Sequence, residues 1–297
     1  MYSLEFISKC GDALRDKPAP EYITPNRDVR VKVHFKPAGR GEHLMIPVTI
    51  DDQTQDFVFD TGCAIFNYVS EKCAREMGIE IIAEDIPITG VERGNVKLGF
   101  APQMEIGGAV YRNAVFMVAP AAANRGGAIA VDALLGADFM KAAGEFNIYP
   151  SDGLILFPDM KLPKPKGGSN MYLRTNQPHV KVSHDNHKIM MHFDTGNAKT
   201  VFYEAFYRKE RAWVNKHGKR GITRHVGFGG VKTMSTIRVP SIEMKLQGTP
   251  FTIYETEVIP NDGGAFESPD YGSLGTDFLR AFRVITISYK HMYVAGE

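Results

Sequence analysis

With 297 residues, the chain is long enough to bury a substantial core and to form two domains. Its 43% hydrophobic and 23% charged residues are ordinary for a globular protein and exclude a disordered or fibrous chain. Because 35 Lys and Arg residues nearly balance 34 Asp and Glu residues, the net charge gives no reason to expect a nucleic-acid or membrane partner.

No stretch of the sequence approaches the roughly 20 apolar residues that span a bilayer, so we predict no membrane span. The apolar cluster Leu4–Ile7 is too short and too charged for a signal peptide, which leaves two locations open. These are the cytoplasm, or export after removal of a leader. The three cysteines, Cys10, Cys63 and Cys73, are odd in number and lack metal-ligand spacing, so we expect no disulfide framework.

Residues 1–40 are predicted to be an N-terminal extension that includes a leading strand. Three prolines interrupt any helix after Leu14, and Val29–Phe35 then alternates apolar and charged residues as an amphipathic strand does.

A hairpin follows this extension. Its strands are Leu44–Ile50 and Gln55–Phe59, and the polar residues Asp51–Gln53 form the turn between them. The return strand runs directly into Asp60-Thr61-Gly62. It therefore delivers a carboxylate at the end of a buried strand, where the chain must turn.

Beyond this triplet the sequence predicts a short helix, hairpins and a second short helix. Ser70 has the character of a helix N-cap and Gly78 that of the C-terminal stop. Gly90–Gly94 has the composition of a hairpin turn. The later run Leu134–Met140 combines an apolar pair, a glycine and a short helix, for which we predict Asp138 as the cap.

Pro158–Gly168 is rich in proline and lysine, which is typical of a linker between lobes. The same order of signals then repeats in the second half. Its members are a hairpin around Ser183–Asn186, the apolar run Met191–Phe193, the triplet Asp194-Thr195-Gly196, a helix over Tyr203–His217, the glycine-rich turn Gly227–Gly230, strands near Ser241–Leu246 and Phe251–Ile259, and the run Leu274–Leu279.

This repetition indicates an internal duplication of a mostly β unit of about 120 residues. We therefore expect an all-β fold with short helices, in which two similar β-barrel lobes enclose a cleft. The expected boundaries are 1–40 for the extension, 41–160 for an N-terminal lobe with Asp60, 161–170 for the linker, and 171–297 for a C-terminal lobe with Asp194.

The order of a hydrophobic strand, Asp-Thr-Gly, a glycine-rich hairpin and a hydrophobic-Gly element before a short helix resembles the aspartic peptidase family, in its retropepsin-like and pepsin-like forms. The resemblance covers nearly the whole chain. Gly227–Gly230 is similar to the glycine-rich flap of retroviral proteases, and Leu135-Gly136 and Leu274-Gly275 match the hydrophobic-Gly elements. It implies the single-chain, bilobal form of the fold, active as a monomer.

The resemblance assigns Asp60 and Asp194 as a catalytic pair that activates a water to hydrolyse peptide bonds without a metal or cofactor. Two close carboxyl groups can supply both the base and the acid, because they cannot both ionise. Thr61 and Thr195 would join the two loops by hydrogen bonds, while Gly62 and Gly196 would give backbone amides access to the carboxylates.

Two hairpin tips are expected to close over an extended peptide substrate, as flaps do. The residues assigned to them are Gly90, Val91, Glu92, Arg93 and Gly94 in the first half, and Gly227, Phe228, Gly229 and Gly230 in the second. For Glu92 and Arg93, a solvated hairpin tip is the alternative interpretation.

The residue after each triplet departs from the family pattern. The family favours Ser, Thr or Ala there, and this chain has Cys63 and Asn197. Since a thiol is a weak donor, Asp60 would lose support for its ionised form. We therefore expect a pH optimum that is mildly acidic to near neutral, and a rate maximum near pH 2–3, roughly below the ordinary pKa of Asp, would contradict this.

Other functions remain open at this point. The chain could be an inactive homologue that binds peptides or glycans, since a fold does not fix a function. Asp-Thr-Gly could also be a simple turn after a strand, although this does not explain the duplication. A glycoside hydrolase would also use two carboxylates, but it would not need this repeated triplet. Such enzymes usually expose several aromatic side chains to the sugar, and this chain has a single tryptophan, Trp213.

Two further groups of residues have a functional and a structural interpretation. His179, His184, His187 and His192 could bind a metal, but their spacing favours solvated histidines of a hairpin, and no metal site is assigned. Cys63 could be a nucleophile. Without a partner histidine close in sequence, it is better explained as a small buried side chain.

Overall fold

A computed structural model describes residues 3–23, 25–89, 93–119, 131–160, 167–227, 230–261 and 270–297. Within these ranges the chain is β-rich, with 22 strands and five helices. The expected all-β class with short helices is therefore confirmed. No helix in these ranges combines the length and the apolar character needed to cross a membrane.

The described helices are α1 (Leu4–Leu14), α2 (Glu71–Glu76), α3 (Ala137–Ala143), α4 (Glu204–His217) and α5 (Thr276–Leu279). The strands of the N-terminal half are β1 (Glu21–Ile23), β2 (Val29–Lys32), β3 (His34–Ala38), β4 (Gly41–Ile50), β5 (Gln53–Phe59), β6 (Asn67–Ser70), β7 (Glu80–Thr89), β8 (Arg93–Ile106), β9 (Ala109–Ala119), β10 (Ala133–Leu135), β11 (Glu145–Tyr149) and β12 (Leu154–Phe157). Those of the C-terminal half are β13 (Met171–Arg174), β14 (Gln177–His184), β15 (His187–Phe193), β16 (Val201–Phe202), β17 (Lys219–Gly227), β18 (Gly230–Leu246), β19 (Thr249–Val258), β20 (Gly272–Leu274), β21 (Ile285–Ser288) and β22 (Tyr293–Gly296).

Each half contributes one large sheet. In the N-terminal half the strand order is β1-β9-β6-β10-β5-β4-β8-β7, with β3 paired to β4. In the C-terminal half the order is β13-β14-β15-β20-β16-β19-β18-β17. The central parts correspond, because β6-β10-β5-β4 and β16-β20-β15-β14 have the same connections and directions.

A third sheet joins the halves. Its order is β2-β12-β11-β21-β22, so strands from both ends of the chain share one ladder. The joining pair is β11 with β21, where Phe146 lies opposite Ile287. Because these backbone hydrogen bonds cross from one half to the other, the two large sheets are held by a common platform.

The first forty residues are integrated into this arrangement. Strand β2 pairs with β12 in the shared sheet, and β3 pairs with β4 in the N-terminal sheet. The amphipathic helix α1 buries Phe6 and Cys10 in a small cluster beside β7 and β8. The domain boundaries, including the linker at 161–170, stay a prediction, and residues 161–166 lie outside the described residues.

Helix α2 begins and ends where the sequence indicates. The Ser70 hydroxyl accepts a hydrogen bond from the Cys73 amide, which satisfies one free N–H of the first turn. Gly78 follows the helix with φ +66°, a conformation that favours glycine. The Ser70 cap and the stop at Gly78 are therefore confirmed.

The predicted cap of α3 is wrong. The N-cap position is Gly136, which has no side chain to cap with, and Asp138 lies in the first turn. Its Oδ2 atom instead accepts a hydrogen bond from the Phe66 amide, 72 residues away. Asp138 thus holds the loop that follows Asp60, a long-range role that local sequence pattern does not reveal.

One hydrophobic core runs through both halves. Phe59 packs edge-on against Phe146 of the shared sheet, with ring centroids 5.3 Å apart, and Phe193 packs edge-on against Phe278 at 5.6 Å. All four side chains are fully buried. Since each buried aromatic side chain contributes about 2–3 kcal/mol, this packing fixes the ends of β5 and β15, from which Asp60 and Asp194 project.

Candidate active site

Asp60 and Asp194 occupy equivalent places at the ends of two central strands. β5 lies parallel to β10 and β15 lies parallel to β20. The Asp60 amide donates to the Leu135 carbonyl (3.0 Å), and the Asp194 amide donates to the Leu274 carbonyl (2.9 Å). The hydrophobic-Gly elements therefore continue each strand pairing up to the aspartate itself.

The two aspartates meet across the boundary between the halves. A Cβ atom built on Gly62 would lie 2.3 Å from Asp194 Oδ1, and one built on Gly196 would lie 2.3 Å from Asp60 Cγ. Both distances are shorter than real Cβ contacts, so any larger residue at either position would displace the carboxyl group of the other aspartate. Each triplet thus leaves space for the carboxyl group of the other.

The backbone of each loop donates to its own carboxylate. Asp60 Oδ1 accepts from the amides of Gly62 (2.8 Å) and Cys63 (3.0 Å). Asp194 Oδ1 accepts from the amides of Gly196 (3.0 Å) and Asn197 (3.2 Å). One oxygen of each group is thereby fixed, and the other is left for the partner carboxyl group or a bound molecule.

Burial and mutual repulsion control the protonation of this pair. Burial, followed by the charge of Asp194, raises the pKa of Asp60 well above its ordinary value, against the two backbone hydrogen bonds. Burial also raises the pKa of Asp194, while its hydrogen bond with Asp60 opposes that rise. Asp60 is buried, whereas Asp194 is partly exposed, so desolvation is stronger at Asp60. A pair that hydrogen bonds in this way shares one proton, because two carboxyl groups so close do not readily ionise together.

Thr61 and Thr195 connect the loops by reciprocal hydrogen bonds. The Thr61 amide donates to Thr195 Oγ1 (3.0 Å), and the Thr195 amide donates to Thr61 Oγ1 (3.0 Å). The Thr61 hydroxyl donates to the Phe193 carbonyl (2.7 Å), and the Thr195 hydroxyl donates to the Phe59 carbonyl. Both threonines are fully buried, so the relative position of the aspartates is set by a closed set of four bonds.

Further contacts support each loop from the opposite half. The Gln177 side chain donates to the Gly62 carbonyl (2.8 Å), and the Asn176 side chain donates to the Ala64 carbonyl (2.6 Å). On the other side, the Glu42 amide donates to the Ala198 carbonyl (3.3 Å). Asn176 and Gln177 were not predicted as site residues, because nothing in their local pattern indicates a contact more than 110 residues away.

The two predicted flaps are hairpins whose strands are described and whose tips are not. Thr89 pairs with Arg93 at the end of β7 and β8, and Gly227 pairs with Gly230 at the end of β17 and β18. Gly94 lies in β8 opposite Ile88. The predicted substrate contacts Gly90, Val91, Glu92, Phe228 and Gly229 lie outside the described residues, and the flap role stays a prediction.

Cys63 is a buried thiol that does not point to a catalytic base. Its Sγ atom donates to the Phe66 carbonyl (3.5 Å), and its backbone amide, not its side chain, supports Asp60. Burial, followed by the charge of Asp60, raises the pKa of this thiol well above its ordinary value. A protonated thiol is a poor nucleophile, which agrees with the interpretation of Cys63 as a buried packing residue.

The prediction of solvated histidines is wrong for three of the four. His187 is exposed, but the His184 side chain is only 13% exposed. His179 is buried, and the His192 side chain is only 14% exposed. Their rings lie 5.1 Å apart, because the β14–β15 pairing places them opposite each other. His192 Nδ1 lies 3.9 Å from Asp194 Oδ2. His192 is therefore a site residue that the sequence analysis did not select.

His184 lies at the far end of the same hairpin. Among the described residues, His184, Asp185 and Glu210 each place one potential metal-ligand atom within 4.8 Å of the others. His184 Nε2 is 3.8 Å from Asp185 Oδ2 and 4.0 Å from Glu210 Oε1, and the Asp185 side chain is 78% exposed. Three such atoms with one exposed member do not by themselves make a metal site, so no ion is assigned to them.

Part of the chain is similar to a known protein family. Residues 46–142 match the family described as gag-polyprotein putative aspartyl protease. The match covers about a third of the chain and contains β5, Asp60 and the first hydrophobic-Gly element. No curated protein matches the chain. The match supports a relationship to the aspartic peptidases for this part of the chain and is consistent with peptidase activity.

Proposed function

We propose that the chain is an aspartic endopeptidase in which a water molecule activated by Asp60 and Asp194 hydrolyses peptide bonds. One observation carries this proposal: two aspartates, one buried and one partly buried, come from similar loops and contact each other across two glycines at which a larger residue would displace a carboxyl group. The match of residues 46–142 to an aspartyl protease family supports the N-terminal half of the pair.

The chemistry follows from the sharing of one proton. The ionised carboxylate removes a proton from the water as it attacks the peptide carbonyl, and the protonated carboxyl group donates to the carbonyl oxygen. A later proton transfer to the nitrogen releases the amine. The backbone amides of Gly62, Cys63, Gly196 and Asn197 hold the two carboxyl groups in place throughout, so little reorganisation is needed.

The pH dependence of the reaction follows from the raised pKa values. An enzyme that needs one proton on the pair loses activity when the second carboxyl group also ionises. Because burial raises the pKa of both groups, this loss should occur well above the ordinary pKa of Asp. A mildly acidic to near-neutral optimum is the expected result.

We also propose the bilobal arrangement of the aspartic peptidases, with Thr61 and Thr195 holding the loops together and the two hairpins serving as flaps. A single chain then carries both aspartates, and the active form is a monomer. Extended peptides would bind between the flaps and the aspartates by backbone pairing, as in β-strand addition.

The test uses single substitutions that keep volume and remove charge. Asp60→Asn and Asp194→Asn should each lower peptide turnover by at least about 10²–10⁴-fold, the usual contribution of an acid or base. Asp185→Asn is the matched control, because Asp185 lies in an exposed turn of the same half and should not affect turnover. Turnover is measured with a peptide library over the pH range, with and without a statine-type transition-state mimic.

The second candidate function is an inactive homologue that binds peptides or glycans, which the departures at Cys63 and Asn197 favour. Such a protein would show no cleavage at any pH and would keep its ligand in both Asn variants. Absence of cleavage together with retained binding would replace the enzymatic proposal by this one.

A further inference from the structure

Matching rows of residues flank the two aspartates, and their chemistry differs. In each half, three neighbouring strands place one side chain each in a row on the face that also carries the aspartate, since residues two apart in a strand share a face. The row of the N-terminal half is Met45, Val58 and Leu134, and the row of the C-terminal half is His179, His192 and Ser273. The first row is apolar, and the second is polar.

The polar row contains side-chain atoms without a protein partner. His179 Nε2, His192 Nε2 and Ser273 Oγ are buried and accept or donate no hydrogen bond within the described residues. His179 is 4% exposed and Ser273 is 1% exposed. Buried polar atoms of this kind are costly, so their presence in the row beside Asp194 calls for a physical reason.

The far end of the row is anchored by charge. His179 Nδ1 lies 2.9 Å from Asp270 Oδ2, and the same carboxylate oxygen accepts a hydrogen bond from the Arg174 guanidinium. Asp270 is fully buried. These contacts fix the ring of His179, and the packing of the two rings then fixes the ring of His192.

The near end of the row faces the active site. His192 Nδ1 lies 3.9 Å from Asp194 Oδ2, whereas the equivalent residue beside Asp60 is Val58, which offers only hydrocarbon. A polar ring edge favours the charged form of a neighbouring carboxyl group, and a hydrocarbon neighbour disfavours it. The two rows therefore act on the two aspartates in opposite directions.

We propose that His192 makes the aspartate pair asymmetric, so that Asp194 carries the negative charge and Asp60 carries the shared proton in the resting enzyme. His192 is a positioning residue in this scheme, because it acts through Asp194 and does not contact the reacting bond. The proposal rests on the proposed function for its catalytic meaning, although the location of the proton can be measured in an inactive protein.

The groups around His192 agree with this direction. It faces His179 from β14, Ser273 from β20 and Asp194 from its own strand, with Asp270 and Arg174 behind His179. Burial, followed by the charge of His179, lowers the pKa of His192 to about 3. The ring is therefore neutral near pH 6. In the proposed scheme its Nδ1 atom carries the hydrogen and acts on Asp194 as a dipole at 3.9 Å. Its unpaired Nε2 atom remains in the buried row.

The experiment follows the carboxyl carbons of the two aspartates by NMR in protein labelled with ¹³C at Asp Cγ. Signals are assigned by their absence in Asp60→Asn and Asp194→Asn. In the unmodified protein, we expect the carboxyl group that ionises at lower pH to be Asp194. His192→Val, which installs the residue found beside Asp60, should raise that lower apparent pKa by about one unit. His192→Asn keeps an N–H donor near the Nδ1 position, so its lower apparent pKa should be close to that of the unmodified protein.

The outcomes separate this inference from the proposed function. If Asp60 ionises first in the unmodified protein, or if the valine variant titrates unchanged, the inference is wrong whether or not peptides are cleaved. If His192→Val does not fold, the inference is still tested by two measurements. These are the order in which Asp60 and Asp194 ionise in the unmodified protein and the same order in His192→Asn. In active protein, the acid limb of the kcat/KM profile should move with the NMR value, which a purely structural role of His192 would not produce.

Discussion

The buried threonine pair that joins the two loops allows a prediction whose magnitude can be worked from the contacts. Thr61 is fully buried, its hydroxyl donates to the Phe193 carbonyl (2.7 Å), and it accepts from the Thr195 amide (3.0 Å). Thr61→Val keeps the volume and removes both bonds. Since each of the two buried backbone groups that lose their partner costs about 1–3 kcal/mol, the free energy of unfolding should fall by about 2–6 kcal/mol.

The assay is equilibrium unfolding in urea, followed by the fluorescence of Trp213, the single tryptophan of the chain. Thr61→Ser is the matched control. It keeps the hydroxyl and removes one methyl group, so its cost should be near 1 kcal/mol. A Thr61→Val and Thr195→Val double variant should cost less than the sum of the single variants by about 1 kcal/mol or more, because both threonines belong to one set of bonds.

Two results would refute this reasoning. A Thr61→Val variant that loses less than about 0.5 kcal/mol would show that the cross-loop bonds do not stabilise the fold. Strict additivity of the two valine substitutions would show that the four bonds are independent. In either case another feature, such as the shared sheet, would have to hold the aspartates together.

Two further predictions concern the ionisable groups. The raised pKa values of Asp60 and Asp194 mean that these carboxyl groups favour the fold while protonated and lose that contribution as pH rises through the folded-state values. The Tm of an Asp60→Asn and Asp194→Asn double variant should therefore be higher than that of the unmodified protein by about 2 °C or more at pH 7, and this difference should disappear near pH 3. An equal difference in Tm at both pH values would contradict the raised pKa values of the two aspartates. The Cys63 thiol, whose pKa burial raises, should react with a thiol reagent at pH 8 no faster than the protein opens, and rapid blocking with loss of activity would restore the nucleophile interpretation.

The sequence was sufficient where a structural feature depends on neighbouring residues. The polar turn Asp185-Asn186 adopts the left-handed conformations expected of a two-residue hairpin turn, with φ of 44° and 64°. The Ser70 cap and the run that becomes α4 also depend on local pattern alone. The positions of these elements could therefore be predicted from residue type and spacing alone.

The sequence was insufficient where a side chain acts far along the chain. Asp138 looked like a helix cap because it stands near a helix start, yet its partner is the Phe66 amide. Asn176 and Gln177 contact carbonyls of the first Asp-Thr-Gly loop, and no periodicity marks such contacts. Which distant backbone group a polar side chain reaches depends on the assembled sheets, so one sequence cannot indicate it.

The histidines lie between these two cases. A hairpin with a two-residue turn pairs residues at equal distances from that turn, so the turn at Asp185-Asn186 already implies that His179 lies opposite His192. Because His192 lies in β15 two residues before Asp194, which directly follows that strand, both project from the same face. The proximity of a histidine pair to Asp194 was thus derivable from the sequence. The sequence does not reveal that Ser273 pairs with His192, because Ser273 lies in a strand about 80 residues away. This pairing makes all three members of the row polar. The asymmetry of the aspartate pair is therefore encoded partly in a local hairpin and partly in a long-range pairing that only the folded chain establishes.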